Sequence, residues 1–172
     1  MMLVVKKLSA VKIGVISDTH IPERCEKVPA EVIDAFEGVE LILHAGDLTS
    51  TAAIEELKKI APVKAVCGNM DSLEICKNLP LKEIIRIGKF SIGLIHGRGN
   101  PKYLVDFVKN QFAEKPDVII FGHSHKPMNE KINGTLFFNP GSPTDTMFAP
   151  YRSCGILEIN DKIKAQIIRL ND

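Results

Sequence analysis

Five short stretches of the chain hold side chains able to bind a metal, among them four of the five histidines, His20, His96, His123 and His125. The stretches are "ISDTH" at 16–20, "HAGDL" at 44–48, "CGNMD" at 67–71, "IHGRG" at 95–99 and "FGHSH" at 121–125. Together they supply Asp18, His20, Asp47, Asn69, Asp71, His96, His123 and His125. Imidazole nitrogen with carboxylate and amide oxygen, and no thiolate, suits first-row divalent ions such as Mn²⁺, Fe, Co²⁺, Ni²⁺ or Zn²⁺. Seven or more donors exceed what a single ion with an open position can use. Two ions sharing a carboxylate account for the number, and a pair held about 3.5–4 Å apart activates a bridging hydroxide and clamps both oxygens of a phosphoryl displacement. Each stretch alone is an ordinary turn or cap pattern, and the inference rests on all five occurring in order.

Such donors converge only if the chain brings five strand ends to one edge. "VKIGVIS" (11–17), "VELILH" (39–44), "VKAV" (63–66) and "DVIIFG" (117–122) are short, nearly continuous apolar runs, as expected of strands covered on both faces. Helical patterns lie between them. "PAEVIDAF" opens on Pro29 and places Val32, Ile33 and Phe36 on one side. "STAAIEELKKI" has Ser50 or Thr51 as cap, the row Ala53, Ile54, Leu57 and Ile60, and a stop at Ala61-Pro62. "KEIIRI" and "FSIGLIH" form a hairpin across Gly88-Lys89. A helix capped by Asn100 is expected from Pro101 to about Ala113, with Leu104, Phe107 and Val108 inward. "KINGTLFFN", "SCGILEIN" and "KIKAQIIRL" complete the chain as strands with Asn-Gly and Asn-Asp turns. The pattern predicts one α/β domain over 1–172, with 1–10 as a short N-terminal extension and a sheet that is parallel early and antiparallel late. In open α/β sheets the carboxyl ends of the strands form the ligand crevice, where these stretches lie.

Composition narrows the function classes. In 172 residues, 22 Lys and Arg stand against 21 Asp and Glu, a formal charge of +1 that gives no footprint for nucleic acid. No apolar run reaches the ~20 residues of a membrane span, and "MMLVVKKLSA" lacks the features of a signal peptide, so a soluble cytoplasmic protein is expected. Cys25, Cys67, Cys76 and Cys154 show no thiolate zinc spacing and are expected to be free thiols of a reducing compartment. A homo-oligomer is compatible with this composition.

The motifs "DTH", "GD", "GNMD", "HG" and "GHSH", followed by "NPGS" at 139–142, resemble those of the calcineurin-like metallophosphoesterases over about residues 11–143. The resemblance implies a four-layer α/β sandwich, two mixed sheets flanked by helices. It also implies one ion held by Asp18, His20 and His125, a second held by Asn69, His96 and His123, and Asp47 bridging them. The histidine that many members carry after the Asn of the third motif, thought to protonate the leaving group, is replaced here by Met70, as in the compact phosphodiesterase-like branch. The expected activity is therefore two-metal phosphodiester hydrolysis of a small, nucleotide-like substrate. Mn²⁺ is the first choice of ion, with Ni²⁺, Fe, Co²⁺, Zn²⁺ or Mg²⁺ as alternatives. Asp71 is the candidate for a further catalytic or orienting carboxylate, with a turn or cap role as its alternative. His44 is expected to make a structural hydrogen bond, Arg98 and Lys126 to be solvated, and "NPGSP" to form a supporting turn. A second function class stays open, because the same fold serves as a protein-binding scaffold in a retromer subunit, where the metal site has decayed. The competent side chain at every donor position favours an enzyme.

Overall fold

The computed structural model describes residues 10–171, so the expected extension over 1–10 lies almost entirely outside the described residues. Five strands form the first sheet in the order β10-β9-β1-β2-β3. These are β1 (Val11–Ile16), β2 (Leu41–His44), β3 (Val63–Ala65), β9 (Ser153–Ile159) and β10 (Ile163–Arg169). The second sheet runs β4-β5-β6-β8-β7, from β4 (Lys82–Ile87), β5 (Phe90–Ile95), β6 (Val118–Ile120), β7 (Met128–Ile132) and β8 (Thr135–Asn139). Both sheets are mixed: β1, β2 and β3 are parallel, as are β5, β6 and β8, while the hairpins β4–β5, β7–β8 and β9–β10 are antiparallel. Two sheets thus replace the single parallel-then-antiparallel sheet expected from local pattern, as the family resemblance implies. Local pattern fixes the strands but not which of them pair.

Alternation along the strands sorts side chains into three interfaces. Ile13, Val15 and Leu43 of the first sheet meet Ile92, Leu94, Val118, Ile120 and Phe138 of the second. On the outer face of the first sheet, Ile16, Ile42 and Ile156 pack against Val32 and Phe36 of the α1 region and against Ala53 and Leu57 of α2. Helix α1 is Ala30–Ala35 and α2 is Ala52–Leu57. Ile95, Ile119, Phe121 and Phe137 cover the outer face of the second sheet together with Leu104 and Val108 of α4, Leu104–Lys109. The result is the four-layer arrangement.

Several expectations shift in detail. Ile33 is 37 % exposed, while Val32 and Phe36 are fully buried, so α1 inserts a narrower stripe than its pattern suggests. The helix expected from Pro101 to Ala113 is a 3₁₀ turn, Pro101–Tyr103, followed by α4, and it ends at Lys109. The chain leaves the helix there so that Phe112 can close on Gly93, where an added Cβ would lie 2.7 Å from its ring. Asn100 caps as expected, accepting from the Lys102 N–H at 2.9 Å. The stretch 70–80 contains an unanticipated helix, α3 (Leu73–Asn78), whose Ser72 cap accepts from the Ile75 N–H. Only Ile75 of that helix is buried, so it has no amphipathic row to read.

The expectation of four free thiols is corrected. Cys67 and Cys76 are joined in a disulfide, their Cα atoms 5.2 Å apart, because α3 folds back beside the end of β3. Cys25 and Cys154 are free.

Glycine sets the distance between the two sheets at one point. A Cβ on Gly155 of β9 would fall 2.4 Å from the Phe138 ring of β8, which is itself fully buried. Gly155→Ala is therefore expected to destabilise the fold by about 1–3 kcal/mol through overpacking, measured as the drop in chemical-denaturation midpoint at constant slope.

Candidate metal centre

The donor side chains all lie where parallel strands end. Asp18 and His20 follow β1, Asp47 follows β2, Asn69 follows β3, His96 follows β5, and His123 and His125 follow β6. Donors therefore reach the centre from both sheets. The backbone there is unusual: Asp18, His20, Asp47, Thr49, His123 and His125 all have positive φ, between 44° and 69°. Non-glycine residues avoid this region at a cost of order 1–3 kcal/mol each, so the surrounding hydrogen bonds must enforce it. In "FGHSH" both histidines depart from extended backbone. The left-handed conformation at both histidines sends the rings to different neighbours.

Two groups of donor atoms come together. In Asp18, His20 and His125 the ligand atoms lie within 4.8 Å of one another, and the same holds for Asp18, Asp47 and His96. His125 Nε2 is 3.3 Å from Asp18 Oδ1 and 3.4 Å from His20 Nε2. Asp47 uses Oδ1 to accept the Met70 N–H at 2.8 Å, while Oδ2 stands 3.3 Å from His96 Nε2 and 3.7 Å from His20 Nε2. Asp47 therefore faces donors of both groups. Asp18 does so as well, with Oδ1 4.0 Å from His96 Nε2.

Asn69 and His123 sit on the outer side of His96. Asn69 Oδ1 is 3.0 Å from His96 Nε2 and 2.8 Å from His123 Nδ1. The remaining nitrogen of each ring faces a carbonyl: His96 Nδ1 at 2.7 Å from Ala45 O, and His123 Nε2 at 2.8 Å from Gly99 O. In the neutral rings the proton goes to the nitrogen that faces a carbonyl, which leaves two bare nitrogens and an amide oxygen converging on one point. Three acceptors so placed fit a cation.

Electrostatics point the same way. Asp18 is fully buried and Asp47 is 2 % exposed. Burial opposes ionisation of both, but a hydrogen bond from His125 to Asp18, and one from His96 to Asp47, keep each carboxyl below its ordinary range. Burial likewise opposes charge on His96, yet the hydrogen bond to Asp47 and the charge of Asp18 overcome it and push the imidazole up to about 9. Without a metal, a proton on His96 supplies the positive charge that the carboxylates demand. The donor chemistry and this demand fit divalent ions.

The other expected residues find defined places. The Asp71 carboxylate accepts backbone N–H groups of Thr49 at 2.7 Å, Gly68 at 2.8 Å and Asp47 at 3.1 Å, and so ties the second and third donor loops together. His44, fully buried and held neutral by burial with its value down at about 3, accepts the Gly46 N–H at 3.1 Å and contacts Thr19 Oγ1 at 3.1 Å. Asn139 and Ser142 make "NPGS" a brace: the Asn139 amide donates to Gly122 O at 2.9 Å, and the Ser142 hydroxyl donates to Asp18 O at 2.7 Å. Lys126 and Arg98 are exposed, Lys126 on the rim of the centre and Arg98 over the Phe107 ring. Asp145, fully buried and hydrogen-bonded to His125 Nδ1, is not anticipated. A lone acid in the turn-rich stretch 143–152 carries no spacing signal. The donors open into a cavity of about 740 Å³, whose rim includes Arg24, Met70 and Phe148. A second depression of about 510 Å³, near Lys82, Phe112 and Glu114, has no histidine in its lining.

Residues 11–162 match the calcineurin-like phosphoesterase superfamily domain. A protein of Methanothermobacter thermautotrophicus named "Probable metallophosphoesterase" is 43 % identical over 159 residues, 91 % of each chain. A solved structure described as a novel archaeal phosphodiesterase superposes with a TM-score of 0.72 at 27 % identity, covering 92 % of this chain and 99 % of its own. Vps29 of Entamoeba histolytica, solved with Zn²⁺, does so with a TM-score of 0.72 at 29 % identity, covering 93 % and 99 %. With the family's motifs in order on five strand ends, the chain belongs to the calcineurin-like phosphoesterase superfamily.

Proposed function

We propose that this protein is a two-metal phosphodiesterase acting in the cytoplasm on a small, nucleotide-like diester. The observation that carries the reading is the convergence of seven donor side chains, two of them nearly fully buried carboxylates. Asp18, His20 and His125 would hold one ion and Asn69, His96 and His123 the other, with Asp47 facing both groups. Divalent ions at such a site, Mn²⁺ as first choice with Ni²⁺, Fe, Co²⁺, Zn²⁺ or Mg²⁺ as alternatives, supply an activated water and positive charge for the phosphoryl transition state.

The chain's own residues set the rest. Ala45 O, Gly99 O and Asp145 hold ring protons away from the centre, so that His96, His123 and His125 present bare nitrogens. Asp71 acts through the backbone, fixing the Asp47 and Gly68 amides rather than exchanging protons. Met70, 60 % exposed at the rim, stands where a proton donor would help the leaving group and cannot donate one. Esters with good leaving groups are therefore preferred, and the similarity to a solved archaeal phosphodiesterase supports diesters over monoesters.

Chelator-stripped protein is expected to cleave bis-p-nitrophenyl phosphate faster than p-nitrophenyl phosphate once a single kind of divalent ion is restored. Asp47→Asn should lose both turnover and metal content while keeping its circular dichroism. Full turnover in Asp47→Asn would remove the shared-carboxylate assignment. Simple alkyl diesters should react more slowly than aryl diesters, and equal rates would show that leaving-group protonation is supplied after all. The likeness to Vps29 supports a second reading, a protein-binding scaffold. Metal binding with no cleavage under any ion, together with capture of a stable partner by a metal-free variant, is the outcome that favours it.

A further inference from the structure

Asp145 is fully buried, yet its carboxylate serves groups with different tasks. Oδ2 accepts from His125 Nδ1. Oδ1 accepts from Arg24 Nη1 at 2.8 Å and from the backbone N–H groups of Met147 at 2.8 Å and Phe148 at 3.2 Å. Arg24 is also tied to the centre through its own backbone, whose N–H donates to His20 O at 2.8 Å. The guanidinium is thus held beside two donor residues by a single buried acid.

A guanidinium carries five N–H donors. Among the described residues only Nη1 of Arg24 has a hydrogen-bond partner, and the side chain, 27 % exposed, lines the same cavity as His20, Asp47, Asn69 and His123. Beside it Phe148 is 64 % exposed, its ring centroid 5.8 Å from Arg24 Cζ. An exposed aromatic face next to a fixed guanidinium at the mouth of a phosphoester site is suited to an anionic phosphoryl group bearing a planar substituent. Lys126 adds positive charge to the rim, and Glu23 on the same rim opposes a second negative charge on the ligand.

We propose that Arg24 and Phe148 form a substrate subsite, Arg24 binding phosphoryl oxygens and Phe148 stacking on a planar aromatic substituent, with Asp145 as the positioning residue that holds both. The ligand class is phosphate esters with an aromatic or nucleobase-bearing group. The proposal rests on the phosphodiesterase reading for the identity of the bound ester, and its test is kept separate from turnover.

The probes are phenylphosphonate and methylphosphonate, whose P–C bonds this chemistry does not cleave, titrated calorimetrically into Mn²⁺-loaded full chain. The wild type should bind the phenyl compound more tightly. Arg24→Gln should weaken both by about tenfold or more at unchanged metal content. Phe148→Ala should abolish the phenyl preference and leave methylphosphonate within about twofold. Asp145→Asn should weaken both, and combining it with Arg24→Gln should add little, because the two act on the same contact. Wild-type affinity in Arg24→Gln overturns the proposal, as does loss of bound Mn²⁺ in that variant, which would make Arg24 a structural support of His125. Full additivity of Arg24→Gln and Asp145→Asn overturns the positioning role. If the expected pattern appears in a protein that hydrolyses no diester, the subsite stands and the phosphodiesterase reading falls.

Discussion

Two carboxylates removed from water, Asp18 and Asp47, set the terms for the rest of the molecule. An unpaired buried charge costs several kcal/mol even after relaxation, so every neighbouring element is committed to compensating it. Asp18 receives the Ser17 hydroxyl at 2.7 Å and the His123 N–H at 3.1 Å, and Asp47 receives the Met70 N–H at 2.8 Å. These donors come from β1, β3 and β6 loops, which is why the strand ends must meet. The sheets are the means of delivery, and the charge pair is the reason for the address.

Close approach has a backbone requirement. A Cβ on Gly68 would lie 2.1 Å from Asp47 Oδ1, and one on Gly122 would lie 1.9 Å from Ser17 Oγ and 2.6 Å from Asp18 Oδ2. Each of these glycines directly precedes a donor, Asn69 or His123, and lets its loop lie against a carboxylate that no side chain could approach so closely. The left-handed conformations of Asp18, Asp47 and His125 are the matching cost, borne by fixed hydrogen bonds such as Asp18 N–H to Gly46 O at 3.0 Å. Strain is concentrated where the geometry of the donors matters most.

The donors are legible in the sequence because each pairs a chemically distinctive residue with a strand end. His96 after "FSIGLI" and His123 after "DVIIFG" need only the apolar run and the histidine to be placed. What holds them is less legible. Asp145 touches His125 across 20 positions, and Arg24 reaches Asp145 across 121, contacts with no local pattern. The Cys67–Cys76 pairing depends on α3, whose single buried residue gives no periodicity. Likewise the split into two sheets is a question of which strands pair, and β9, far along the chain, inserts beside β1 with nothing near either strand announcing it. Local chemistry is written locally, and tertiary partnership is not.

Strand β1 lies between β2 and β9, so one edge is satisfied by the next strand in sequence and the other by a segment far along the chain. During synthesis Asp18 emerges early, but its strand lacks one neighbour until Ile159 has left the ribosome, and His125 follows Asp18 by more than half the chain. For most of translation the nascent chain therefore carries an open strand edge and acids without their cationic partners. The full set of donors is assembled only after His125 has emerged, and its frame is closed only when β9 has paired with β1.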